Sequence, residues 1–109
     1  MTTIDHQSLI YSDFGDDEDL AELVEMFVDE IPDRVQTMLD AADSSDWEQL
    51  GRIAHQMKGA AGSYGFSEVT NVAAVLEHAC RQNASAETIQ RALQDLVTMC
   101  LKMRAGTPG

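Results

Sequence analysis

Basic residues are scarce in this chain: seven Lys and Arg stand against nineteen Asp and Glu in 109 residues, a formal net charge of −12. That balance excludes binding to nucleic-acid backbones, which takes clustered cations, and argues equally against an anionic membrane surface. No apolar run approaches the length of a membrane span, and the first residues, MTTIDHQS, lack the basic and apolar regions of a secretory signal. A cytoplasmic location is therefore expected. Only two cysteines occur, Cys80 and Cys100, without CxxC spacing and each on an apolar helical stripe. They read as small buried hydrophobes, not as a disulfide or metal pair. Proline is nearly absent, and no run of alternating β-branched residues marks a strand. The length fits one all-helical domain over residues 1–109, with no room for an ATP-binding lobe beside it.

What is present is helical periodicity. Ile4, Leu9, Ile10, Tyr11 and Phe14 suggest a short packing helix within residues 4–14, broken at Gly15. Asp16 to Asp19 supply an N-cap and an acidic first turn for the next helix. From Leu20 through Leu23, Val24, Phe27, Val28, Ile31, Val35, Met38 and Leu39 to Ala42, apolar residues recur at three- and four-residue steps. The stripe keeps its phase across Pro32, which predicts a kink and not two helices.

Ser45 with Glu48 reads as a capping box for a second helix carrying Trp47, Leu50, Ile53, Ala54, Met57, Ala61 and Tyr64, ended by Gly65-Phe66. Ser67 is placed to cap a third, with Val69, Val72, Ala73, Leu76, Ala79 and Cys80, stopping near Gln82-Asn83. Ser85 then caps a fourth, with Ile89, Leu93, Leu96, Val97, Cys100 and Met103, before a frayed AGTPG tail. The expected fold is an all-α, antiparallel up-down four-helix bundle with a short extra N-terminal helix and a core spanning about residues 17–104.

The second helix holds the chemistry. At about 100° per residue, His55 points roughly 150° away from the apolar stripe that contains Ala54 and Met57, so it is expected to face solvent. Around it on that face lie Gly51, Lys58, Gly59 and Gly62. Three glycines inside one helix forgo about 2.5–3 kcal/mol of helix stability. Bare backbone beside an exposed imidazole makes sense where another protein must come close. A helix–helix contact is the other use of such a strip. Between Glu48 and Glu68 there is no acid, while Arg52 and Lys58 are both present, so this stretch is locally +2. A phosphoryl group on His55 would find the Lys58 ammonium one turn away. Near neutral pH an ordinary imidazole is largely uncharged and nucleophilic. A metal site would want a second ligand where Lys58 and Gly59 stand, and a hydrolytic triad would want a partner that the adjacent sequence does not supply.

The string Ala54-His55-Gln56-Met57-Lys58-Gly59-Ala60-Ala61-Gly62-Ser63-Tyr64-Gly65 resembles the HxxKG…G signature of histidine phosphotransfer (HPt) domains. Gly15-Asp16-Asp17, Asp46-Trp47 and Leu76-Glu77 also sit where that family places similar residues. The resemblance implies a four-helix bundle with His55 as phosphoacceptor, Lys58 as the supporting lysine and Gly59 as the access glycine. Gly51, Arg52, Gln56 and Gly62 would then belong to the docking surface. It implies response-regulator receiver domains as partners, and with them a hybrid histidine kinase. The phosphoryl would pass from a phospho-aspartate to the outermost imidazole nitrogen, Nε2, and on to another receiver. The receiver would supply Mg²⁺; this chain is expected to need no cofactor, to hold no metal, to have no turnover of its own and to be a monomer. Gly62-Ser63-Tyr64-Gly65-Phe66 is similar to the loop of chemotaxis-type kinase phosphoacceptor domains, which is the close alternative. A helical adaptor that binds receivers without being phosphorylated is a second, against which the His55–Lys58–Gly59 trio counts.

His78, with Arg81 one turn on but no glycine beside it, reads as a solvated surface histidine, and His6 needs no role. Met26, Met38, Met57, Met99 and Met103 read as core filler, and the acidic run Asp16 to Glu30 as a solvated helix face.

Overall fold

Helical periodicity becomes four helices in the computed structural model, which describes residues 9–108: α1 (Ala21–Asp43), α2 (Trp47–Ser63), α3 (Ser67–Arg81) and α4 (Ala86–Cys100). α1 runs unbroken through Pro32, whose ring faces solvent. Its start is set one turn upstream: Asp17 Oδ1 accepts from the backbone N–H of Asp19 at 2.8 Å and of Leu20 at 3.2 Å. The acidic stretch therefore organises the turn before the helix, while Leu20 holds the cap position itself.

Three helices end the same way. Asp46 N–H donates to Ala41 and Ser45 N–H to Ala42; Phe66 donates to Ala61 and Gly65 to Gly62; Ala84 donates to Ala79 and Asn83 to Cys80. Each is a Schellman closure, with a left-handed residue just past the helix: Ser45 at φ 55°, Gly65 at 84° and Asn83 at 54°. Ser45 is thus the stop of α1, not the cap of α2 as its pairing with Glu48 suggested. Asp46 takes that role, accepting from Gln49 N–H at 3.1 Å. Ser67 is the first residue of α3, and Phe66 holds the cap position without a side-chain bond. Ser85 caps α4 as expected, accepting from Thr88 N–H at 3.1 Å.

The core is one cluster drawn from all four helices, with Met38, Leu50, Met57, Phe66, Leu76, Ile89 and Leu96 fully enclosed. Phe27 of α1 stacks on Tyr64 with centroids 4.8 Å apart, which ties α1 to the α2–α3 turn. Val24, Phe27, Ile31, Val35 and Met38 make the inner stripe of α1, while Leu23, Met26 and Leu39 stay exposed. The buried arc of that helix is narrower than its apolar pattern. Cys80 and Cys100 are both buried and unpaired.

The chain ends depart from expectation. Residues 4–8 lie outside the described residues. From residue 9 onward the anticipated short helix is instead a two-residue strand, β1 (Ile10–Tyr11), followed by turns. It pairs in parallel with β2 (Met103–Arg104), Ile10 opposite Met103 and Tyr11 opposite Arg104. α4 stops at Cys100, so Met103 reaches the core from a strand and not from the helix. Two residues are too few to show a period of any kind, which is why no strand was legible there.

Candidate functional site

α2 and α3 pack along their length, and the side chains that carry chemistry lie where they meet. His55, midway along α2, has a side chain 58% exposed to solvent. Its Nδ1 lies 2.8 Å from Oε2 of Glu77 on α3. Lys58 Nζ is 2.7 Å from Oε1 of the same carboxylate, and Arg81 Nε is 2.9 Å from its Oε2. One glutamate, only 7% exposed, thus collects an imidazole, an ammonium and a guanidinium. The ammonium and guanidinium pair with it and the imidazole hydrogen-bonds it, so its burial comes without an unpaired charge.

The Lys58 hydrogen bond is the main influence holding the Glu77 carboxyl below its ordinary value; burial works against it, and the bond to His55, the Lys58 charge and the charge of a protonated His55 add to the lowering. At neutral pH Glu77 is therefore a carboxylate, which has no proton to give. Nδ1 of His55 must be the donor in that bond. A neutral ring with its proton on Nδ1 carries its lone pair on Nε2, the nitrogen farther from Glu77.

A family model described as the Hpt domain matches residues 22–106. The chain belongs to the Hpt domain family. The match covers all but the first residue of the four helices, and membership makes the chain a phosphotransfer module of two-component signalling, in a family that works with receiver domains. Comparison with curated proteins and with solved structures gives no significant match.

Within this Hpt domain the residues picked out around His55 fall on two sides. At about 100° per residue, Gly51, Lys58 and Gly62 lie to one side of His55 and Gly59 to the other. The first side is turned toward α3. Gly51 is buried, and a Cβ there would sit 3.1 Å from Cys80 Cβ. The expectation that Gly51 is exposed backbone is therefore corrected: its missing side chain lets α3 approach. Gly62 is exposed, but an added Cβ would lie 3.4 Å from Thr70 Oγ1, whose hydroxyl donates to the Lys58 carbonyl at 3.2 Å. At Gly59 nothing lies within 4 Å of an added Cβ. Of the three glycines around His55, Gly59 alone faces open space there. Arg52 and Gln56 are exposed, Arg52 giving Nε and Nη2 to Gln49 Oε1 at 3.2 and 2.8 Å. Lys58 is half-buried, held by Glu77 and not free in solvent.

Glu77 is the site residue that reading α2 alone missed. It follows Leu76 on α3, at the margin of an apolar stripe, and two of its three partners, Lys58 and His55, stand 19 and 22 residues earlier on another helix. The one signal was the Leu76-Glu77 pair noted among family-like positions. His78 is exposed and lies on α3 beyond this cluster, and His6 lies outside the described residues.

Proposed function

We propose that this Hpt domain accepts a phosphoryl group on Nε2 of His55 from the phospho-aspartate of a receiver domain and passes it to a second receiver. The lone pair on Nε2 attacks phosphorus, the acyl-phosphate P–O bond breaks, and the aspartate leaves as a carboxylate. Nδ1 keeps its proton throughout. Glu77 holds that proton and offsets the positive charge that grows on the ring. Lys58, one turn from His55, is close enough to lend its charge to the arriving dianion. Gly59 leaves the partner's backbone free to approach. The receiver supplies Mg²⁺ and most of the stabilisation of the transferring group.

The observation that carries this reading is the 2.8 Å contact between Nδ1 and a buried carboxylate on a histidine whose side chain is otherwise 58% exposed. In this reading the chain is a carrier without turnover of its own, acting as a cytoplasmic monomer; a hybrid histidine kinase stands at the head of the relay. The short connections at residues 44–46, 64–66 and 82–85 support an antiparallel up-down order of the helices.

The test is transfer of labelled phosphate from a panel of phosphorylated receivers to the native protein and to His55→Gln. We expect labelling of the native chain alone, with equal helicity and melting for both. Retained labelling of the variant removes His55 from the mechanism. Labelling only by an ATP-bound kinase would replace the relay with the chemotaxis-type acceptor role that the Gly62–Phe66 loop suggests.

A further inference from the structure

Below His55, toward the start of α2, the two helices part around a groove of about 560 Å³. Its floor is small because Gly51 and Cys80 meet there, and its walls are Trp47 and Arg52 of α2 and Arg81 of α3. The chain has seven Lys and Arg against nineteen acids, and two of the seven line this one groove. The single acid on its rim, Glu48, has a side chain 85% exposed and comes no nearer than 4.0 Å to Arg52 Nη1, so it neutralises little. Gln49 orients the Arg52 guanidinium without cancelling its charge. Arg81 bonds through Nε to the same Glu77 oxygen that faces His55 Nδ1, so this residue of the groove wall also touches the cluster around His55.

We infer that this groove is a docking subsite for a carboxylate-bearing segment of the protein that exchanges phosphoryl with His55, and that Arg52 selects that segment. The inference rests on the phosphotransfer reading and adds a partner chemistry to it. On a surface this acidic, a partner carboxylate meets repulsion almost everywhere. Here it meets the Arg52 guanidinium, which no carboxylate pairs closely, and the exposed part of Arg81, whose Nε is already bonded to Glu77, with the half-buried Trp47 indole beside them to cover an aliphatic stem. Charge at such a rim acts on encounter and placement rather than on the chemical step.

The test uses the full chain, a receiver that labels native His55, and phosphoramidate as a small phosphodonor that needs no docking. For Arg52→Glu the receiver concentration that half-saturates the rate of labelling should rise about tenfold or more while the limiting rate changes little. The ratio of receiver-driven to phosphoramidate-driven labelling falls accordingly. Arg52→Lys restores most of the loss, since it returns the charge. Raising ionic strength should increase the native half-saturating concentration steeply and the Arg52→Glu value much less. An unchanged half-saturating concentration in Arg52→Glu overturns the inference, and so does a loss shared equally by phosphoramidate labelling. If neither donor labels native His55, the phosphotransfer reading itself fails and this inference goes with it.

Discussion

A histidine fully in water spreads its proton over both ring nitrogens, and nothing then favours the one that attacks in the proposed transfer. Here Glu77 removes that freedom by accepting from Nδ1. Glu77→Gln keeps the shape but loses the charge, and its amide can accept from or donate to Nδ1. We expect phosphoryl transfer to slow by roughly 10–100-fold, the size found when a partner that fixes a histidine's tautomer is removed. Ring ¹⁵N–¹H spectra should show the Nδ1–H tautomer in the native protein and a mixture in the variant; an unchanged tautomer with an unchanged rate would dismiss Glu77 as a positioning residue. The same substitution carries a pH signature. The Glu77 carboxyl lies below its ordinary 4.5 in the fold, with Lys58 the largest cause. Its ionic contribution to stability is therefore complete above that value and is lost as pH falls through the lower, folded one. The stability difference between native and Glu77→Gln, measured by urea unfolding, should hold steady from pH 7 toward 5 and shrink below about 4.5.

Helix existence was legible because each stripe repeats over several turns, and the cap at Ser85 because Asn83 closes the preceding helix and leaves the serine free to cap the next. Ser45 was misread for a physical reason. Its own sequence neighbourhood fits a capping box, but the preceding helix needs a left-handed residue to close its last carbonyls, and that need falls on position 45. Gly51 was misread in a related way. A helix in a bundle touches two neighbours, so the face away from its own apolar stripe is not all solvent. Glu77 was hidden because an acid at a stripe margin reveals its value only when the facing helix brings cations to it. These readings make the helix ends testable. Ser45 holds φ 55° in the same closure that Gly65 makes at 84°. Ser45→Gly should relieve that strain and raise stability by about 1 kcal/mol, read from urea unfolding. Asp46 keeps the α2 cap in that variant, so a loss of stability would mean that the Ser45 side chain has a role beyond closing α1.

At the scale of the molecule, the α2–α3 pair holds the His55–Glu77 cluster, and a clasp built from residues 10–15 and 103–106 locks the turn between them. Ser12 donates its hydroxyl to the Tyr64 carbonyl, and Asp13 N–H donates to Gly65 O at 3.0 Å. The β1–β2 ladder holds the same segment to the end of α4. Gly15 meets the tail so closely that a Cβ there would lie 2.0 Å from Gly106 O. None of this was legible, because close backbone approach leaves no trace in a sequence except glycines that could serve other ends. Gly65 is where the clasp and the turn coincide. It sits at φ 84°, and a Cβ there would come within 2.6 Å of Ser12 Oγ and 2.9 Å of Phe14 Cδ2. Gly65→Ala therefore combines left-handed strain with a steric clash, and we expect a loss of roughly 2–4 kcal/mol in urea unfolding. Because His55, Lys58 and Glu77 lie along the helices and not in the turn, the folded fraction should still accept phosphoryl at close to the native rate. Native stability in Gly65→Ala would show that the amino-terminal segment does not hold the turn. A folded Gly65→Ala protein that has lost phosphoryl acceptance would show that the clasp sets the spacing between His55 and Glu77 as well as the stability of the bundle.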